Sequence, residues 1–388
     1  MQLSFPRFED KSDWLLLVFV SFLIILPQVS QGAIALYLIH WIATKQYKFL
    51  YKIRSNWFTI GSITYFLFFV ISGLYSENTV LWGRDIEAKL PLLIVPILLT
   101  SRKKYNPQLV NLLLFAFGLS CFIYVGYLHY ETYLGSGQIF RSVIGSKTYM
   151  NAIYAAMYIS FPLLVGLSFI VKKKPTINYQ FILAVLTLLF FHYSLYAIAS
   201  RMALLALMIV ELSAVFLWKI VLNRQIIQGG VLMALVFIIN FLSVNFTQYA
   251  KKRMESAFKG DPRVEIWKAT RNQIPESPII GFGSGDAQAI MFEAYKKIDF
   301  EYGIKQKYNN HSQYFESWIS AGIFCLIALL AWLGLVFRDG WLEKNYVLCI
   351  FIGMIALNFL TESMLERQQG TYFMAFWGAV LYWNSRKE

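Results

Sequence analysis

The sequence predicts an all-α fold: a polytopic membrane bundle of about twelve transmembrane helices carrying one large, partly helical loop on one side. Three observations lead there. Hydrophobic residues make up 57% of the 388 residues and charged ones 15%, where soluble domains average about 25% charged. Apolar runs of near-span length recur along the chain. Lysines and arginines cluster in every second connection, which fixes sidedness.

The runs fall near 14–29, 30–44, 57–75, 87–100, 108–130, 149–171, 179–198, 202–222, 228–246, 313–337, 345–360 and 369–384. A perpendicular helix needs about 20 residues, and several runs are shorter. The 87–100 run is the weakest, because Pro91 and Pro96 interrupt its helical register. The first run is followed by Pro27-Gln28 and no small-residue cleavage site, so it is expected to be a span rather than a signal peptide. Residues 1–388 are expected to form a single integral-membrane domain.

Lys45, Lys48, Lys52 and Arg54 share one connection; Arg102-Lys103-Lys104, Lys172-Lys173-Lys174, Lys219 with Arg224, Arg338 with Lys344, and Arg386-Lys387 follow at alternate positions. The positive-inside rule places these clusters and both termini in the cytoplasm. The long 247–312 segment, between spans nine and ten, then faces outward. It is itself basic, but long loops translocate regardless of charge. The net charge of +13 is largely spent on topology, so nucleic acid is not an expected partner. Cys121, Cys325 and Cys349 lie in apolar runs without metal or disulfide spacing.

Candidate chemistry gathers on the outward side. Arg201 follows Ala199-Ser200 between two apolar runs with almost no linker; a snorkelling interface residue is the plain reading, and a functional cation at the bundle mouth the sharper one. In the loop, Asp261 can cap a helix that Pro262 opens and Pro275 ends. Arg263, Trp267 and Arg271 then share one face. Arg263 falls in the first turn, where free N–H groups already favour an anion and a guanidinium fork suits phosphate oxygens. A solvated helix on lipid headgroups is the alternative, and Trp267 alone reads as an interface anchor. Gly281-Phe-Gly-Ser-Gly285 lacks the strand and lysine of a nucleotide loop; it predicts a tight turn before a second loop helix capped by Asp286.

His311 opens a span within Asn309-Asn310-His311-Ser312-Gln313. Histidine is suited to proton transfer near neutral pH; a capping polar cluster is the alternative. His40, His129 and His192 lie in or near apolar runs without nearby acid context, and packing suffices for them. The 361–370 turn holds Glu362, Glu366, Arg367, Gln368 and Gln369. Its glutamates share a face if helical, either ion-paired with an arginine or orienting a base or sugar hydroxyls. Arg84, with Asp85 and Glu87, forms a weaker outward cluster, and Arg141 adds charge near the mouth. Glu211 is expected to be a protonated or hydrogen-bonded packing residue. No outward segment carries metal-ligand spacing, so no metal and no cofactor is expected.

In order and sidedness, Ser200-Arg201, Arg263 with Trp267, the Gly-Phe-Gly turn, Asn310-His311-Ser312 and the Glu-rich turn resemble the O-antigen ligase and polymerase superfamily. The resemblance covers most of the chain as topology and about 199–370 as motifs. It implies twelve spans, a periplasmic loop and site, and a bacterial inner-membrane location. It also implies glycan transfer, without metal or nucleotide, from an undecaprenyl diphosphate donor to a lipid A-core or another lipid-linked glycan as acceptor. Carried over, Arg201 and Arg263 would hold the diphosphate and His311 would activate or position the acceptor hydroxyl. Arg271, Asn310, Glu362, Glu366, Gln369, Arg84 and Arg141 are supporting candidates. A transporter of lipid-linked glycans, or an assembly protein whose loop binds a partner, would fit the composition too. Transporters place charge near the midplane and pair their halves; here the charged groups gather at one face.

Overall fold

The computed structural model describes residues 12–102, 107–134, 140–172, 179–198, 201–221, 225–246 and 261–383. Every regular element among them is helical. Two compact units are present, Met1–Thr44 with Lys104–Glu255, and Lys45–Lys103 with Ser256–Glu388.

The first unit holds α1 (Ser12–Phe22), α2 (Pro27–Ala43), α5 (Pro107–Leu134), α6 (Phe140–Lys147), α7 (Ala152–Lys172), α8 (Tyr179–Ile198), α9 (Arg201–Val215, continued by a π turn) and α10 (Ile226–Phe246). In lipid, apolar surface gives helices little reason to associate, so polar contacts and close packing must hold them. Ser30 Oγ donates to Phe19 O at 2.8 Å and Ser120 Oγ to Ser21 O at 2.7 Å. Glu211 of α9 is hydrogen-bonded, as expected: Asn240 Nδ2 donates to it at 3.1 Å. His192 Nδ1 stands 3.5 Å from its other oxygen. That contact corrects the expectation that His192 has no acid nearby; the partner is on another helix, out of reach of local sequence context.

The second unit holds α3 (Trp57–Ser72), α4 (Thr79–Thr100), α11 (Pro262–Gln273), α12 (Ala287–Lys297), α13 (Glu301–Lys305), α14 (Gln313–Leu342), α15 (Tyr346–Phe359) and α16 (Gln368–Trp383). Asn56, Asn78 and Asn345 cap α3, α4 and α15 by accepting from the N–H three residues on. The weak 87–100 run proves to be the second half of a continuous 22-residue helix, α4, with both prolines inside. Pro96 leaves the Leu92 carbonyl without its helical donor, and Ser62 Oγ supplies one at 2.5 Å.

Two helices, Gln108–Leu134 and Gln313–Leu342, are individually long and apolar enough to cross a membrane, and the bent pair Gln46–Ser55 and Trp57–Ser72 makes a third. Six further apolar helices have 10–17 residues. The chain is a helical membrane protein, while twelve full-length spans are not seen among the described residues. One of the long helices is itself broken. Gly322 sits at φ 80° and ψ −179° inside α14, splitting it into 313–321 and 323–342. One side chain, Tyr65, reaches both pieces: its OH bonds Ser317 Oγ at 2.9 Å and its ring lies 6.0 Å from that of Trp332. On an unbroken helix those two residues would stand about 22 Å apart along the axis. The first piece therefore folds toward the second.

Candidate functional site

The site is built in the second unit around the N-terminus of α14. Asp261 caps α11 as anticipated, its Oδ1 accepting from Arg263 N at 3.0 Å, with Pro262 in the first turn. Ile266 and Ala269 then face Met291, Ala294 and Tyr295 of α12. Burying Ile266 and Met291 stabilises the loop layer by roughly 1.5–3 kcal/mol each. Trp267 packs against the same cluster, 6.5 Å from the Phe315 ring. It is a packing residue, which corrects its reading as an interface anchor. Arg271, in the last turn of α11, is exposed and makes no described contact with the site.

Fixed this way, α11 presents Arg263 to the 361–366 turn. Arg263 Nε donates to Thr361 O at 3.1 Å and Nη1 approaches Asp261 Oδ2 at 3.4 Å. The remaining guanidinium nitrogen, Nη2, has no protein partner among the described residues.

The next residue of that turn, Glu362, meets His311. Its Oε2 is 3.4 Å from His311 Nδ1, with 11% and 20% of the two side chains exposed. A carboxylate at Nδ1 fixes the tautomer with its proton there and leaves Nε2 with the lone pair. His311 Nε2 has no protein partner among the described residues. The Tyr308 ring stands edge-on 5.2 Å away. His311 has φ 44°, an uncommon left-handed backbone that costs on the order of 1–3 kcal/mol and is kept where surrounding contacts impose it.

Those contacts come from the two asparagines before it. Asn309 Oδ1 accepts from His311 N at 3.1 Å while its Nδ2 donates to Glu366 Oε2. Asn310 is buried: its Nδ2 donates to Glu316 Oε2 at 2.6 Å and its Oδ1 accepts from Thr270 Oγ1 at 2.9 Å. It orients the turn from within the core. Glu362 and Glu366 do not share a helical face, because residues 364–366 form only a 3₁₀ turn. Each serves a different partner, and neither pairs with Arg367, which is exposed. Gln313 ties the turn to α3: its Oε1 accepts from Leu365 N at 2.6 Å and its Nε2 donates to Tyr65 OH at 2.8 Å.

Behind Glu366 lies a charged group that sequence reading passed over. Lys89 is fully buried, paired with Asp85 and set 4.1 Å over the Phe69 ring. Their i, i+4 spacing on α4 was the available signal. Burial, reinforced by the nearby Glu316 carboxylate, pushes the Glu366 carboxyl well above the usual range despite the opposing pull of Lys89. Glu366 serves as a hydrogen-bonding strut for Asn309.

The Gly281–Gly285 turn is tight, as expected, with φ 73° at Gly281 and 90° at Gly283. It packs on the α14 break: Phe282 N donates to Ile319 O at 2.7 Å and Gly283 N to Ser320 O at 3.0 Å. Asp286 precedes α12 without capping it through its side chain. Its carboxylate instead accepts from Glu77 N and Asn78 N, at 2.7 and 3.0 Å. That is a correction, and it shows the turn clamped to the start of α4.

Arg84 is exposed on α4, and Gln369 lies in the first turn of α16. The side chains of Arg141 and Arg201, and residues 247–260, lie outside the described residues, although α9 begins at Arg201. Among the described residues no group of His, Cys, Asp and Glu is arranged to hold a metal ion.

No curated protein matches the chain. A family model described as O-antigen ligase matches residues 183–330, a segment that contains Arg201, Arg263, Arg271, Asn310 and His311 and stops short of Glu362 and Glu366. That match supports the O-antigen ligase superfamily for this chain.

Proposed function

We propose that this protein is an O-antigen ligase-like glycosyltransferase that moves a glycan from undecaprenyl diphosphate to a hydroxyl of a lipid A-core or similar acceptor at the periplasmic face of the inner membrane. The observation that carries the reading is the convergence on consecutive residues: Arg263 is held by Thr361 and His311 by Glu362. A guanidinium suited to a phosphate and an imidazole with an open Nε2 thus belong to one turn.

In this reading the acceptor hydroxyl gives its proton to His311 Nε2 as its oxygen attacks the anomeric carbon. The bond from that carbon to the diphosphate oxygen breaks, and the diphosphate leaves with its charge balanced by Arg263 and Arg201. Glu362 stabilises the imidazolium that forms, the part a carboxylate plays beside a catalytic histidine. Asn309 and Glu366 keep His311 in its left-handed backbone. The arginines do the work for which many phosphoryl-leaving reactions use a metal, so transfer is expected to survive chelation.

The test is reconstitution in proteoliposomes with an undecaprenyl-diphosphate-linked glycan, offering lipid A-core in one arm and a second lipid-linked glycan in the other, with and without chelator. Transfer to the lipid A-core is the expected result. Elongation of the lipid-linked glycan alone would make the protein a polymerase of the same superfamily. No transfer to either acceptor would remove the reading.

A further inference from the structure

The same loop carries an apolar tip that the transfer chemistry does not use. Ile279 and Ile280 are 60% and 56% exposed, and Leu74, in the turn after α3, is 86% exposed. They are held outward by a rigid frame. Pro278 O accepts from Trp318 Nε1 at 2.9 Å and from Ile323 N at 3.1 Å, and Ile280 O accepts from Tyr75 OH at 2.5 Å. Gly322 makes room for this frame, since a Cβ there would lie 1.9 Å from Ile279 O. With the Pro278 and Ile280 carbonyls committed in this way, two isoleucines that point away from the protein are costly in water, at about 25 cal/mol per Å² of apolar surface.

The level of this tip can be counted along α14. Its far end is marked by Arg338, Asp339 and Glu343, and a bilayer core takes about 20 residues of helix. Counting back from 338–342 reaches 319–323, where the Gly322 break lies and where Ile279 and Ile280 sit. Between these limits Phe324, Ile327, Leu330, Phe337 and Trp341 are exposed, an apolar stripe suited only to lipid. The tip continues that surface at its upper end, and the flanking Trp318 and Tyr75, each with a polar atom engaged, suit the aromatic belt of an interface.

We propose that the Pro278–Gly281 turn, with Leu74, dips into the outer boundary of the bilayer and docks the loop on the phospholipid surface. The turn that reads in sequence as part of a water-exposed loop is thus an interfacial anchor. It also gives the site its depth. Thr371 Oγ1, at the start of α16, donates to Ala88 O at 2.7 Å, nine residues into α4 and so about 14 Å from its N-terminus. The Glu362–Glu366 turn lies recessed relative to the rim formed by the start of α4 and the Ile279–Ile280 tip. A polyprenyl chain in the membrane would therefore cross this rim to bring its diphosphate to Arg263. That consequence rests on the proposed transfer reading, whereas the anchor itself does not.

The test uses the full chain in phospholipid nanodiscs. A nitroxide is placed at Ile280→Cys, at Leu74→Cys as a second rim position, and at Lys296→Cys on the exposed face of α12; the three native cysteines are buried. Collisions with oxygen, which partitions into lipid, and with a water-soluble nickel chelate are read by power saturation. The ratio of oxygen to nickel accessibility should be several-fold higher at positions 280 and 74 than at 296. A ratio at 280 and 74 equal to that at 296 would place the tip in water and overturn the proposal. Protection from both relaxers would also overturn it, by showing protein, such as a second copy, covering the tip.

Discussion

His192 with Glu211 in the first unit, and His311 with Glu362 in the second, stand at nearly the same separation, 3.5 and 3.4 Å. The surroundings differ. His192 and Glu211 lie on regular helices, 9% and 5% exposed, and Glu211 is also engaged by Asn240, which in turn accepts from Tyr196 OH. The ring's other nitrogen is buried and has no hydrogen-bond partner among the described residues. His311 stands where a strained backbone enters a helix, about twice as exposed, with Nε2 unpartnered among the described residues and Arg263 held one residue along from its glutamate. A histidine–carboxylate contact is therefore not by itself a catalytic signature. Access and a nearby cation distinguish the second pair, whereas the first does what buried polar groups in membrane helices commonly do, fixing register.

The sharpest way to break this contrast is to remove both histidines in turn. His311→Ala should lower transfer by roughly 10²–10⁴-fold with donor binding retained, the range for a lost general base. His192→Ala should leave transfer per folded molecule unchanged and cost roughly 1–3 kcal/mol of stability, because Glu211 loses a partner, read as a lower melting temperature in detergent. Equal activity losses would erase the distinction. Next in size, Arg263→Ala should cost about 10²–10³-fold in kcat as oxyanion-type stabilisation is lost. Arg263→Lys should recover little of it, since a point charge cannot hold Thr361 O and a phosphate together. Glu362→Gln should follow, with a loss on the order of 10²-fold in kcat and little change in KM; an unaffected variant would make the 3.4 Å contact incidental.

The smallest effect concerns Glu366. Its carboxyl is raised by burial, so the folded state keeps a proton that the unfolded chain gives up near pH 4.3. The stability this provides is complete below that pH and is lost as pH rises through the higher folded value. Thermal melts across that range should fall for the wild type. Glu366→Gln should flatten the decline; an unchanged slope would show that Glu366 does not cause it.

Much of the loop was legible in the sequence because its signals are local. Asp261-Pro262 announces a capped helix, the glycines announce a tight turn, and His311 stands out by its asparagine neighbours. What stayed hidden depends on partners far along the chain. Ser62 rescues the carbonyl that Pro96 orphans, so α4 continues where proline rules predicted a weak run. Glu362 and Glu366 were visible as a pair, but their division of labour required His311 and Asn309. Gly322, an ordinary glycine in an apolar run, gave no hint of the break that Ile279 and Ser277–Gly283 fill. Asp85 and Lys89 had helical spacing, but only the packing of Phe69 and the Glu366 turn shows the lysine to be buried.

The most direct test of the central claim is the pH dependence of kcat/KM for transfer by the reconstituted wild type. If His311 accepts the acceptor's proton, activity falls as pH drops, and His311→Ala loses that acid limb. If His311 instead grips the diphosphate as a cation, activity falls as pH rises, and the account of this site is contradicted.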